Sequence, residues 1–155
     1  MNLIIHDHEN KLRYSKEVVR DAVHFFADRL FEKLTDYSSL HLEISLDDRD
    51  PDGTLGETVT YDFDDVETPE FIDIVLANDL SDKEFMVTLA HEMVHVKQLA
   101  MGELIVCPDS LDLSWYKKPR NKKSSYWDTP WEKEAEEKEY NLYAEWLSDN
   151  GEYTS

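Results

Sequence analysis

Apolar residues recur along this chain with two different periods, and each period predicts a different kind of element. Over residues 16–34 they return every three or four positions, which is typical of a helix with one buried face, and Ser15 stands where that helix would be capped. Residues 40–46 and 57–63 instead alternate apolar with polar side chains, which predicts half-buried β-strands. A more continuous apolar run, 71–78, predicts a third strand.

The strongest helical pattern lies between Ser81 and Gly102. Ser81 followed by Glu84 predicts a capping box, and Gly102 is typical of a helix end. Apolar side chains cover most of the circumference, so we expect a mostly buried helix with one polar stripe. Glu92 lies at the border of that stripe, whose members are Thr88, His91, His95 and Gln98.

A last helix is predicted to start at Pro130, after a long irregular segment. Thr129 followed by Glu132 predicts a second capping box, with proline at the first helical position. The order of elements predicts one α+β domain over residues 1–155. We expect a small, mostly antiparallel or mixed sheet of about three strands packed on the buried helix, with one helix N-terminal and one helix C-terminal to it.

Composition narrows the class of protein. The chain is 41% hydrophobic and 33% charged, and no apolar run approaches the length of a membrane span. Cys107 is the only cysteine, which excludes disulfides within the chain and metal sites rich in thiolates. The first ten residues lack the basic start and the apolar length of a signal peptide. We therefore expect a cytoplasmic protein without membrane partners.

The charge balance is strongly acidic, with 35 acidic and 16 basic residues and a net charge of −19. Such a surface repels phosphates, so it disfavours nucleic acid as a partner. The segment 116–127 is the exception, because it holds five of the basic residues. We interpret it as a solvated loop. The alternative is a docking site for an acidic partner, and the hypothesis of a DNA-associated protease would rest on this segment alone.

Residues 91–95 read His-Glu-Met-Val-His, and this spacing predicts a metal site. Side chains at positions i and i+4 share one helix face, so His91 and His95 could bind one zinc ion per chain through ring nitrogens. Glu92 is rotated by about 100° around the helix, which lets it act as a general base rather than a ligand. The competing interpretation is two buried histidines satisfied by hydrogen bonds.

A zinc site of this kind needs a third protein ligand. Every other histidine precedes the motif, and the extended HExxHxxGxxH pattern fails at Gln98 and Met101. A carboxylate remains, and the last helix offers six: Glu132, Glu134, Glu136, Glu137, Glu139 and Glu145.

Helical periodicity does not decide on which of two faces of the last helix the third ligand lies. Glu134 borders the apolar arc of the last helix on one side, while Glu132 and Glu139 border it on the other. The capping role expected for Glu132 favours Glu134 as the ligand.

Two blocks of sequence resemble a known family. "HEMVHVKQLAMGEL" followed by "YWDTPWEKEAEEKE" is similar to small gluzincin-type zinc metallopeptidases, particularly phage-encoded ones with HExxHxxQ and then PWExEA. The resemblance implies a zincin-like fold, with His91, His95 and Glu134 as zinc ligands and Glu92 as the base. Lys138 stands where gluzincins often have an acidic residue, so we expect Asp128 or Glu137 to take that role.

Peptide hydrolysis also needs contacts with the substrate, and the loop between the two metal helices offers two tyrosines. Tyr116 and Tyr126 are candidate donors to the oxyanion that forms during hydrolysis. By the same resemblance, the strand 71–78 is expected to be the sheet edge that pairs with extended peptide, through the residues Phe71, Asp73 and Val75.

The function expected from this sequence is a zinc-dependent metallopeptidase acting on a peptide or protein substrate. The alternative is a catalytically silent protein of the same fold that works by binding or regulation. The presence of Glu92 argues against that alternative, since a binding protein needs no general base.

Overall fold

The computed structural model describes residues 1–31, 36–60, 68–106 and 129–150, together with the backbone of 113–115 and 118–119. These residues form three helices and seven strands, in this order: β1 Asn2–Ile5, α1 Lys16–Leu30, β2 His41–Asp47, β3 Gly56–Thr60, β4 Phe71–Ala77, α2 Asp82–Ala100, β5 Leu104–Val106, β6 Leu113–Trp115, β7 Lys118–Pro119 and α3 Pro130–Asp149.

The main sheet is mixed and has four strands in the order β1-β2-β4-β3. The strands β1, β2 and β4 are parallel, and β3 is antiparallel to β4. The register places Leu3, Leu42 and Ile72 side by side, and all three are buried. An α+β fold with a mixed sheet is therefore confirmed. The strand β1 and the second sheet, β5-β6-β7, were not predicted.

The helices α1 and α2 pack against the main sheet, and α3 packs against both of these helices. Helix α2 contacts β3 and β4 as well as α1, α3 and β5, so it forms the centre of the core. Its side chains from Phe85 to Leu99 are almost all buried, as the predicted broad apolar arc requires. Among the described residues, no helix combines the length and the apolarity that crossing a bilayer requires.

The strand β4 corrects one prediction. It lies between β2 and β3, so its backbone is hydrogen-bonded on both sides and it is not an edge of the sheet. Phe71, Asp73 and Val75 therefore cannot pair with a peptide through a free backbone edge. The antiparallel strand β3 occupies that edge instead. The alternation of side chains along a strand shows which face is buried, but it does not show which strands pair.

Two of the three helices start with the cap that the sequence predicted. Ser15 caps α1, and Ser81 with Glu84 forms the predicted capping box of α2. Gly102 has a φ of +72°, as expected where a left-handed residue ends α2. The predicted capping box of α3 is absent, because the side chain of Thr129 makes no cap hydrogen bond. That difference bears directly on the role of Glu132.

Candidate metal centre

The two histidines of the motif face the same way from the middle of α2. Their ring centroids are 4.9 Å apart, and the rings are nearly perpendicular. His91, Glu92 and His95 each offer a ligand atom, and these atoms lie within 4.8 Å of one another. The helix thus brings together a buried group of side chains that could hold a metal ion.

The carboxylate of Glu132 bridges the two rings. Its Oε2 lies 3.1 Å from Nε2 of His91, and its Oε1 lies 2.9 Å from Nε2 of His95. Glu132 is in the first turn of α3 and is 2% exposed. Ring nitrogens of two residues on α2 therefore converge on one carboxylate from α3, a helix that is distant in sequence but packed against α2.

Glu134 occupies a different position from the one expected of a ligand. Its Oε1 accepts a hydrogen bond from Nε2 of Gln98 at 3.0 Å, and its Oε2 lies 3.5 Å from Nζ of Lys138. Among the described side chains, Glu132 and not Glu134 reaches the imidazoles. The choice of Glu134 had assigned Glu132 to a capping box, but the side chain of Thr129 makes no cap hydrogen bond in α3.

Each imidazole has an oxygen acceptor at its other nitrogen. Nδ1 of His91 lies 2.7 Å from Oε2 of Glu139, and Nδ1 of His95 lies 2.8 Å from Oε1 of Gln98. Because both partners are acceptors, Nδ1 carries a proton in each ring, and Nε2, which faces Glu132, is the nitrogen that could bind a metal once its own proton is lost. Of the two described carboxylates Glu137 and Glu139, it is Glu139 that contacts Nδ1 of His91. Asp128 lies outside the described residues, and Glu137 is exposed.

The ionisation of these groups is coupled. Burial lowers the pKa of His91, but its hydrogen bonds with Glu132 and Glu139 outweigh burial and raise the pKa to about 10. The pKa of His95 is also raised, against the effect of burial, through Glu132 and Glu92. Burial acts to raise the pKa of Glu132, yet the two imidazoles hold it well below its usual range. Without a metal, the imidazoles therefore hold protons that a metal ion would displace.

Glu92 lies beside the imidazoles in a buried position, 4% exposed. Its Oε2 accepts a hydrogen bond of 2.5 Å from the hydroxyl of Thr58 on β3. Burial raises the pKa of Glu92, while His95, His91 and the Thr58 hydroxyl oppose that rise. Thr58 is paired with Ile74 in the sheet register, so it lies on the face that the helices cover.

Sequence reasoning identified the motif residues and missed three of their partners. Thr58 gave no signal, and Glu139 was only one of six candidate carboxylates, because each contact joins elements far apart in the chain. Gln98 was placed on the polar stripe, although its contact with His95 was not anticipated. Tyr116 and Tyr126, the candidate oxyanion donors, lie outside the described residues.

Comparisons with known proteins give no independent assignment of family or function. No protein-family model, no curated protein and no solved structure matches this chain. The function must therefore be inferred from the geometry of the centre.

Proposed function

We propose that this protein is a zinc-dependent peptide hydrolase with a zincin-like arrangement, in which His91, His95 and Glu132 bind the metal. One observation carries the proposal: two imidazole nitrogens from adjacent turns of α2 converge on the Glu132 carboxylate, with Glu92 beside them. A neutral buried imidazole pairs one nitrogen with an acceptor and the other with a donor, whereas each of these rings has an acceptor at both nitrogens.

The donor set fits zinc. Two nitrogens and one oxygen suit this ion, and three protein ligands are typical of catalytic rather than structural zinc sites. Ligands on one tetrahedral zinc stand about 3.3 Å apart, given metal–ligand bonds of about 2.0–2.1 Å. The distances of 3.1 Å and 2.9 Å from the two oxygens of Glu132 to the rings are only slightly shorter, which supports this carboxylate as the third ligand.

The chain's own residues supply the rest of the chemistry. When bound, zinc polarises the scissile carbonyl and lowers the pKa of water. Glu92 accepts the proton of the attacking water and returns it to the leaving amine. The hydrogen bond from Thr58 holds the Glu92 carboxylate in place and favours its ionised form, which a general base requires.

The edge strand β3 is the proposed docking site for the substrate. It has one strand neighbour, β4, in the described sheet, and its inward face carries Thr58 against Glu92. Edge strands can pair with an extended peptide through backbone hydrogen bonds. A peptide added to β3 would run close to the centre, which β4 could not offer.

The proposal is tested by measuring zinc content and hydrolysis together. We expect one zinc per chain by elemental analysis, and chelator-sensitive cleavage of an unfolded protein. Glu92→Gln should keep the zinc and lose at least about 100-fold in rate, as expected when a general base is removed. Glu136→Gln, which removes an exposed carboxylate from α3, is the matched control and should behave as wild type.

Two results would contradict the proposal. Absence of zinc from the wild-type protein at saturating zinc would remove the metal centre. Stoichiometric zinc without cleavage of unfolded proteins or peptide mixtures would instead support a binding or regulatory protein.

A further inference from the structure

Gln98 is a fully buried polar side chain whose hydrogen-bonding groups all have partners. It is 0% exposed and lies three residues after His95 on α2. Its Oε1 faces Nδ1 of His95 at 2.8 Å. Its Nε2 donates to the backbone oxygen of Trp131 at 3.1 Å and to Oε1 of Glu134 at 3.0 Å. The amide therefore links a motif histidine to the first turns of α3.

These contacts allow only one orientation of the amide. If the Gln98 amide were flipped, its oxygen would face a carbonyl and a carboxylate, both of which are acceptors. Its NH₂ group would then face His95. A buried polar group that loses its partners is destabilising, so Glu134 and Trp131 hold the oxygen of Gln98 towards the ring.

We propose that Gln98 is a positioning residue that keeps the proton of His95 on Nδ1, and that Glu134 fixes the orientation of Gln98. This inference rests on the proposed metal centre. An acceptor at Nδ1 keeps a proton on that nitrogen, so the proton that a metal ion displaces is the one on Nε2, which faces Glu132. Glu134 thus acts on the centre through Gln98, and Lys138 lies at its other oxygen.

The two histidines are consequently held by different kinds of acceptor. His91 faces the carboxylate of Glu139 directly, whereas His95 faces a neutral amide whose other end is hydrogen-bonded to a carboxylate. Removing the acceptor should therefore affect one ring only. That selectivity separates a positioning role from a general loss of packing.

The test uses the full chain loaded with zinc and labelled with ¹⁵N in its histidines. In the wild type we expect His95 to bind zinc through Nε2 and to show a slowly exchanging Nδ1–H signal. In Gln98→Met, which keeps the length of the side chain without an acceptor, we expect that signal to exchange rapidly. The zinc Kd should rise by about 10–100-fold, as is usual when a ligand's hydrogen-bonding partner is lost. The Nδ1–H signal of His91 should be unchanged.

A double variant guards against a folding defect in Gln98→Met. Gln98→Glu alone sets two carboxylates against each other and should weaken zinc binding. Adding Glu134→Gln gives the carboxylate at position 98 an amide donor while an oxygen still faces His95, although the backbone oxygen of Trp131 no longer receives a donor from residue 98. We expect this double variant to bind zinc more tightly than Gln98→Glu and to recover the protected Nδ1–H signal in part.

The outcomes separate this inference from the proposed function. If the wild type binds no zinc, the proposed metal centre fails. If the wild type binds zinc and folded Gln98→Met has the same Kd and the same His95 signal, only the role of Gln98 is overturned. A folded double variant that binds zinc no better than Gln98→Glu would also overturn it.

Discussion

Nδ1 of His91 lies 2.7 Å from the carboxylate of Glu139, two helical turns along α3 from the Glu132 carboxylate that meets the other nitrogen of the same ring. One face of α3 therefore holds both nitrogens of one imidazole. The rotation of α3 about its axis and the orientation of the ring are fixed together.

This relationship predicts the effect of Glu139→Gln. The amide can still accept a hydrogen bond, but the negative charge is lost, so the pKa of His91 in the metal-free protein should fall from about 10. Zinc affinity should fall by about 10–100-fold. NMR titration of the metal-free protein and competition with a chelator measure the two effects. Glu136→Gln is the matched control, and an unchanged pKa of His91 would contradict the assignment.

The identity of the third ligand is tested by a pair of variants on α3. Glu132→Gln should weaken zinc binding by more than about 100-fold, because it removes a metal ligand rather than a supporting hydrogen bond. Glu134→Gln should retain zinc within about tenfold of the wild type, since its oxygen can still accept from Gln98. Zinc Kd values from competition titrations decide the matter. The reverse order of effects would restore Glu134 as the ligand.

The hydroxyl of Thr58 should control the ionisation of the proposed base. Thr58→Val keeps the shape of the side chain and removes the hydrogen bond that lowers the pKa of Glu92. The pKa of Glu92 should rise, and the acidic limb of the kcat/KM profile should move to higher pH. Thr58→Ser retains a hydroxyl and should leave the profile near that of the wild type. Superimposable profiles for the two variants would exclude this role.

The metal-free protein should lose stability as the pH rises above 6.5. The pKa of His91 is about 10 in the folded state and 6.5 in the unfolded reference. Its stabilising contribution is thus complete below pH 6.5, declines above it and is lost above pH 10. The lowered pKa of Glu132 acts in the other direction, because its contribution is lost as the pH falls below its usual value of 4.5.

Zinc should counteract the loss of folding stability above pH 6.5, because zinc binding requires imidazoles without a proton on the ligating nitrogen. The zinc-induced rise in Tm should therefore increase from pH 6 to pH 8, while the Tm measured with chelator falls. Thermal melts at several pH values, with and without chelator, measure both trends. A chelated protein whose Tm rises across this interval would refute the assigned ionisation of His91.

Features encoded by neighbouring residues could be predicted from the sequence. The capping box at Ser81 and the apolar period identified α2, and the spacing of its two histidines identified the centre. The pattern of neighbouring residues could not identify the third ligand. The same capping pattern occurs at Thr129 and Glu132, but there the Thr129 side chain makes no cap hydrogen bond and the Glu132 carboxylate contacts the imidazoles of α2.

Features that depend on the pairing of distant segments could not be predicted from the sequence. The strand β1 has four residues, too few for its alternation to stand out, and it is recognisable only through its parallel partner β2. The order of β3 and β4 depends on contacts across the sheet. The contact between Thr58 and Glu92 joins residues 34 positions apart, which no periodic pattern reveals.

The meeting of α2 and α3 at His91 and Glu132 joins residues 41 positions apart in the chain. An ion held there would act as a cross-link, restricting the conformational freedom of the intervening segment much as a disulfide does. Chelation should then loosen the C-terminal helix before the sheet unfolds. The occupancy of the centre would determine how readily a cellular protease degrades the chain from that end.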